Sequence, residues 1–139
     1  MELETALNFA RDHRQSVLVT ARSDGRPQLS NIVHSVGADG LVRISITDTR
    51  AKTRNARRDP RVSLYITRED FYAYAVIDGT AELSDVTTEP GDAAGLQLQS
   101  LYRELAGEHE DWDDYFEAMV RDQRLVLTIR PERAYGMIQ

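Results

Sequence analysis

Apolar residues recur at two different periods along this chain. At the start, Leu3, Ala6, Leu7 and Ala10 fall three or four apart, which predicts a short amphipathic helix within residues 2–14. The pattern then switches. "SVLVTAR", the turn "SDGR" and "PQLSNIVHSV" read as strand, Asp-Gly turn and strand. A second turn at Ala38–Gly40 leads into "LVRISIT", where Val42, Ile44 and Ile46 face one way and Arg43, Ser45 and Thr47 the other. The local pattern predicts that these three strands form an antiparallel meander.

"RVSLYIT" alternates in the same way, with Val62, Leu64 and Ile66 on one face. A long strand follows in "FYAYAVIDGTAELSD", where Gly79 predicts a bulge or bend. The loop "VTTEPGD" carries turn residues and a helix cap. Residues 92–106 and 111–123 predict two helices, the second with Trp112, Phe116, Met119 and Val120 along one face. "RLVLTI" is a final strand, interrupted at Pro131 before "AYGMI" resumes. Five or six antiparallel strands, an N-terminal helix and an inserted helical pair predict a single α+β domain, residues 1–139, built round a small β-barrel.

Charge changes the picture at one place. "RAKTRNARRDPR", Arg50 to Arg61, holds six basic residues and one acid, in a chain of formal net charge −6. As a helix it sets Arg50, Arg54, Arg57 and Arg58 on one face and Lys52 on another, with Thr49 as the expected N-cap. Only Ala51 and Ala56 are apolar, so no hydrophobic stripe accounts for it. A helix start flanked by Arg50 and Lys52 suits an anion: the helix end contributes about 0.3–1 kcal/mol, and each charge-assisted hydrogen bond about 1.5–3 kcal/mol. The alternative is a solubilising segment paired with the acidic helices. An isoelectric point of about 5.0 argues against general nucleic-acid binding, and no aromatics interleave the basic residues.

Other chemistry is scarce. There are no cysteines, hence no disulfide, thiolate metal site or cysteine nucleophile. No apolar run approaches the roughly 18 residues of a membrane span, and a cytoplasmic protein is expected. His13, His34 and His109 lack metal-ligand spacing and assemble no Ser-His-Asp arrangement. His34 reads as a satisfied or exposed strand imidazole rather than a proton donor, and "HEDWDD" as a capped helix start rather than a metal site. Tyr65, Tyr72, Tyr74 and Tyr135 could each donate a phenolic proton, although packing with a bonded hydroxyl is the simpler reading.

"DGRPQLSNIV", followed by "TRAKTRNARRDPRVSLYI", "YAYAVIDGTAELS", "LYRELAGEHEDWDDYFEAMVRDQRLVLTI" and "AYG", resembles the pyridoxamine 5′-phosphate oxidase-like split β-barrel proteins. The likeness is to their actinobacterial B-type members, which use the deazaflavin coenzyme F-420, and it covers essentially the whole chain. It implies a homodimer of six-stranded antiparallel split barrels with cofactor sites at the subunit interface. Carried over, Gln28, Leu29 and Ser30 would line the tricyclic ring, and Ser45, Arg50, Ala51 and Lys52 would hold the phosphate and its chain. Tyr72 and Tyr74 would approach from the long strand of the partner subunit, and Arg54 with Arg57 or Arg58 would meet a polyglutamate tail. The implied activity is hydride transfer from reduced F-420 to an unsaturated small molecule such as a quinone, a conjugated carbonyl or a tetrapyrrole, with no metal and no assigned catalytic side chain. An FMN-dependent pyridoxamine-phosphate-type oxidase and a non-catalytic F-420 carrier are the alternatives.

Overall fold

The computed structural model describes residues 1–139. Four helices and seven strands alternate along it: α1 (Leu3–Asp12), β1 (Gln15–Ala21), β2 (Pro27–Val33), β3 (Ser35–Val36), β4 (Val42–Thr47), α2 (Ala51–Arg58), β5 (Arg61–Thr67), β6 (Tyr74–Leu83), α3 (Ala93–Ala106), α4 (Trp112–Arg121) and β7 (Arg124–Met137). One antiparallel sheet contains every strand, in the order β2-β1-β5-β6-β7-β4-β3.

The two ends of that order are consecutive in the chain. β2 and β3 are separated by His34 alone, so the sheet curls until its outer strands meet at this residue. The break at His34 is also why seven strands are found where six were expected. His34 is fully buried and holds the corner from both nitrogens: Nε2 donates to the Ala10 carbonyl at 2.8 Å, and Nδ1 accepts from the Ser16 hydroxyl at 2.7 Å. It is the satisfied imidazole of the sequence reading, in a structural post.

The expected meander is corrected. β1 and β2 form the Asp-Gly hairpin, with Gly25 at φ +86°, but β4 does not pair with β2. It pairs with the stub β3 and, over six residues from Val42↔Ile129 to Thr47↔Arg124, with β7. Val42, Ile44 and Ile46 are almost wholly buried, and pairing with a chain-distant strand gives them a place inside the curled sheet.

Alternation decides what faces inward. Leu18, Leu64, Ile66, Ile77, Leu127 and Ile129 join the three β4 residues in one core, which α1 covers with Ala6, Leu7, Phe9 and Ala10. Fully burying each large aliphatic side chain contributes about 1.5–3 kcal/mol. Gly79 sits at a bulge, as expected: Glu132 is the extra residue between the pairs Asp78↔Arg133 and Gly79↔Pro131. A Cβ at Gly79 would collide with the Arg130 carbonyl. Pro131 therefore bends β7 without ending it. The long strand before it begins only at Tyr74; Phe71, at φ +69°, and Tyr72 belong to the preceding turn.

The inserted helices form a satellite core of Leu98, Leu101, Tyr115 and Val126, with Tyr102, Trp112, Phe116 and Met119 packed against it. Both starts are capped by aspartate: Asp92 accepts from the Gly95 amide at 2.8 Å, and Asp111 from the Asp114 amide at 3.1 Å. The carboxylates of "HEDWDD" thus include the cap of α4.

Candidate functional site

The basic segment does fold as a helix, held by polar groups as well as apolar ones. Ala56 enters the core, Thr53 Oγ1 donates to the Thr47 carbonyl at 2.7 Å, and Asn55 Nδ2 donates to Thr20 Oγ1 at 3.2 Å, with Thr53 and Asn55 both buried. The expected N-cap at Thr49 is corrected by one residue. Arg50 occupies that position with no side-chain cap, and its amide is bonded to the Thr47 carbonyl at 3.2 Å. The amides of Ala51 and Lys52 are the ones left without a backbone acceptor.

The basic residues then divide by what they touch. Arg57 pairs with Asp48 at 2.6 Å and Arg61 with Asp59 at 2.8 Å. Arg54 donates to the Thr49 carbonyl at 2.8 Å, and Arg58 to the Ala21 carbonyl at 2.6 Å. None of these partners belongs to the acidic helices α3 and α4. Arg50 and Lys52 have neither an ion pair nor a hydrogen-bonded acceptor.

Two adjoining cavities meet at Lys52. The smaller, about 390 Å³, is bounded by Gln28 and Ser30 of β2, Thr47, and Arg50, Ala51 and Lys52 at the start of α2. The larger, about 660 Å³, runs along β1 and β2 past Ser16, Asn31 and Ile32, and is closed by Ser45, Tyr65 and Thr67. Both are also lined by Arg124, the first residue of β7. Sequence reasoning missed Arg124, because one arginine opening a strand looks like a solubilising end. Only the register Thr47↔Arg124 brings it beside Lys52.

Arg50, Lys52 and Arg124 thus converge with no carboxylate among them. Burial, and then the charges of Arg50 and Arg124, hold the Lys52 ammonium below its ordinary pKa. Arg124 carries a buried Nε with no partner. Such an arrangement is costly unless an anion completes it. A phosphate fits the outer part of the set: the Arg50 and Lys52 cations, the two free amides at a helix start, and the Gln28 and Ser30 side chains on the same cavity.

Of the residues taken from the resemblance, Gln28, Ser30, Ser45, Arg50, Ala51 and Lys52 line these cavities. Leu29 alternates to the other face of β2 and is 60% exposed. Arg54, Tyr72 and Tyr74 border neither cavity within one chain. Tyr72 is 74% exposed, and Tyr74 packs on Tyr65 with ring centroids 5.8 Å apart.

A curled antiparallel sheet closed at a strand break, with a cationic cradle against its wall, defines a split-barrel protein. The pyridoxamine 5′-phosphate oxidase family profile matches residues 3–138, and the chain belongs to that family. Solved structures share the fold. A conserved hypothetical protein of Mycobacterium tuberculosis is 24% identical with a TM-score of 0.75, over 98% of this chain and 84% of that one. A protein described as an F-420 reductase is 24% identical with a TM-score of 0.67, over 95% and 94% of the two chains. A heme-binding protein from Mycobacterium smegmatis is 20% identical with a TM-score of 0.70, over 97% of this chain and 53% of that one. No helix is long and apolar enough to cross a membrane.

Proposed function

We propose that the protein binds coenzyme F-420 and serves as a reductase of an unsaturated small molecule, of quinone, conjugated-carbonyl or tetrapyrrole type. The observation that carries this reading is the convergence of Arg50, Lys52 and Arg124, without a counter-ion, beside a groove along the barrel wall. Arg50, Lys52 and the Ala51 and Lys52 amides would hold the phosphate, while Gln28, Ser30 and Ser45 would border the ring and its chain. When bound, the coenzyme supplies the hydride. The chain's own part is to fix the phosphate, press the ring against β2 and keep water from it.

A homodimer belongs to the same proposal. Leu29, Val33, Phe71, Tyr72, Tyr135 and Met137 are all exposed, and a second copy would cover them. Tyr72 and Tyr74 would then reach the neighbouring cavity. Sedimentation equilibrium tests the stoichiometry, and a monomer at micromolar concentration would remove this element.

One observation favours FMN as a second reading. Of the cations suited to a polyglutamate tail, Arg57 is paired with Asp48, and Arg54 and Arg58 are already turned onto backbone carbonyls of the chain. A competition titration of the purified protein with F-420 and FMN decides between them. Preference for F-420 with consumption of its reduced form supports the reductase. Preference for FMN with peroxide production supports the oxidase, and F-420 binding without turnover across an acceptor panel supports a carrier.

A further inference from the structure

The cavity system continues past Ser45. A pocket of about 470 Å³ lies between α3, α4 and the β4–β7 pair, sharing Ser45, Leu105 and Arg124 with the barrel-wall groove. Its walls differ from those of the phosphate cradle. Leu98, Leu101, Tyr102, Tyr115 and Met119 make it largely apolar. Tyr115 contributes only its ring, because its hydroxyl is spent on the Leu98 carbonyl at 3.0 Å. Volume and lining match those of small-molecule sites.

Arg124 is the only arginine or lysine on this pocket; His109 also lines it, its Nδ1 accepting from the Asp111 amide at 2.9 Å. Arg124 Nη1 reaches Ser45 at long distances, 3.4 Å to the carbonyl and 3.5 Å to Oγ, and its buried Nε has no acceptor. A part-buried guanidinium so poorly bonded, its Nε shut away from solvent, calls for an anionic acceptor. Asp114 is the one carboxylate on the lining; it is exposed and forms no ion pair with Arg124.

We propose that this α3–α4 pocket is the acceptor subsite, taking a small molecule with a flat apolar body and one carboxylate or sulfonate-like group. The body packs among Leu101, Tyr102, Tyr115 and Met119, and the anion binds Arg124. A single cation amid apolar walls fits one charge on a hydrophobic molecule, whereas the outer cradle of Arg50, Lys52 and free amides fits a phosphate. The catalytic meaning of the subsite rests on the coenzyme reading above; its binding chemistry does not.

The probe is 8-anilinonaphthalene-1-sulfonate, compared with N-phenyl-1-naphthylamine, which has the same rings without the charge. The parent protein should bind the sulfonate saturably and about tenfold or more tighter than the neutral amine. Arg124→Gln should remove that preference while sparing the amine. Ala118→Phe, which fills the pocket, and Ala106→Trp, at an exposed lining position, should abolish both signals yet leave F-420 binding as in the parent. The inference is overturned if sulfonate binding survives both filling variants, or if Arg124→Gln leaves it unchanged. Should F-420 not bind while the dye pattern holds, the coenzyme reading fails and the subsite stands.

Discussion

Arg57 Nη2 lies 2.6 Å from Asp48 Oδ1, tying the last turn of α2 to the residue that follows β4. The pair folds the helix back over its own entry, so that its other end, with Arg50, Ala51 and Lys52, faces the cavity. Asp48 is itself anchored by its amide to the Gln123 carbonyl at 2.9 Å, next to Arg124. Asp48→Asn should therefore act on ligand binding at a distance. Both side chains are partly exposed, so the pair is worth only about 0–1 kcal/mol to stability. The expected result is a small change in melting temperature and a weaker phosphate affinity, the loss being less than for Lys52→Ala. Calorimetric titration with F-420 measures both losses together.

Arg50→Ala and Lys52→Ala should each weaken coenzyme binding by about 1–3 kcal/mol, since each removes a charge-assisted hydrogen bond. The defect should narrow as salt rises, more so for the exposed Arg50. Fluorescence titration at two ionic strengths is the measurement. Parent-like affinity in both variants would place the phosphate elsewhere.

Lys52 also sets a pH dependence. Its pKa in the free protein is lowered, first by burial and then by Arg50 and Arg124, and a bound phosphate would raise it. Binding should take up a proton between those two values, and affinity should fall as pH rises through the lower one. Lys52→Arg, charged throughout, should bind with a flat profile over the same alkaline range. Isothermal titrations in buffers of different ionisation enthalpy report the proton directly.

His34 makes the fold itself acid-sensitive. Burial, reinforced by the charge of Arg14 and opposed by the bond to Ala10, lowers its pKa in the folded state. The unfolded chain takes up a proton near pH 6.5 that the folded one refuses. Stability should be full above that value, decline as pH falls below it, and level off once the lower folded pKa is passed. In His34→Gln this slope should vanish, at a cost of about 1–3 kcal/mol for the buried bonds disturbed. Urea melts at a series of pH values between 7 and 5 test it.

Asp92 gives the helical insert its own dependence at lower pH. Burial raises its pKa, but the Thr87 hydroxyl and the amides of Thr88, Gly95 and Glu89 outweigh this and hold it down to about 2. Its contribution should be present above the ordinary aspartate range and disappear as pH falls toward about 2. Asp92→Ala removes the cap of α3 and should cost about 0.5–2 kcal/mol at neutral pH. Hydrogen exchange should show the loss in α3 before the barrel.

Local chemistry made much of this molecule legible from its residues. The β1–β2 hairpin, the alternation in β4 and β5, the Gly79 bulge and the aspartate-capped helices depend on near neighbours, and on those grounds they read correctly. The basic segment was visible for the same reason, as was Lys52 within it. Two failures were non-local, the β4 partner and the break at His34 that adds a seventh strand; the turn rather than strand at Tyr72 was local, with Asp70 Oδ1 accepting from the Tyr72 amide at 3.0 Å.

The sequence by itself determined which residues alternate, where the chain turns and where positive charge collects, because each follows from side-chain chemistry within a few residues. The tertiary structure alone decided that β4 lies against β7, that Arg124 stands beside Lys52, and that Arg54, Arg57 and Arg58 are spent on carbonyls and Asp48. Those outcomes depend on curling one sheet until its ends meet, and nothing within a local window specifies which distant strand will satisfy an open edge.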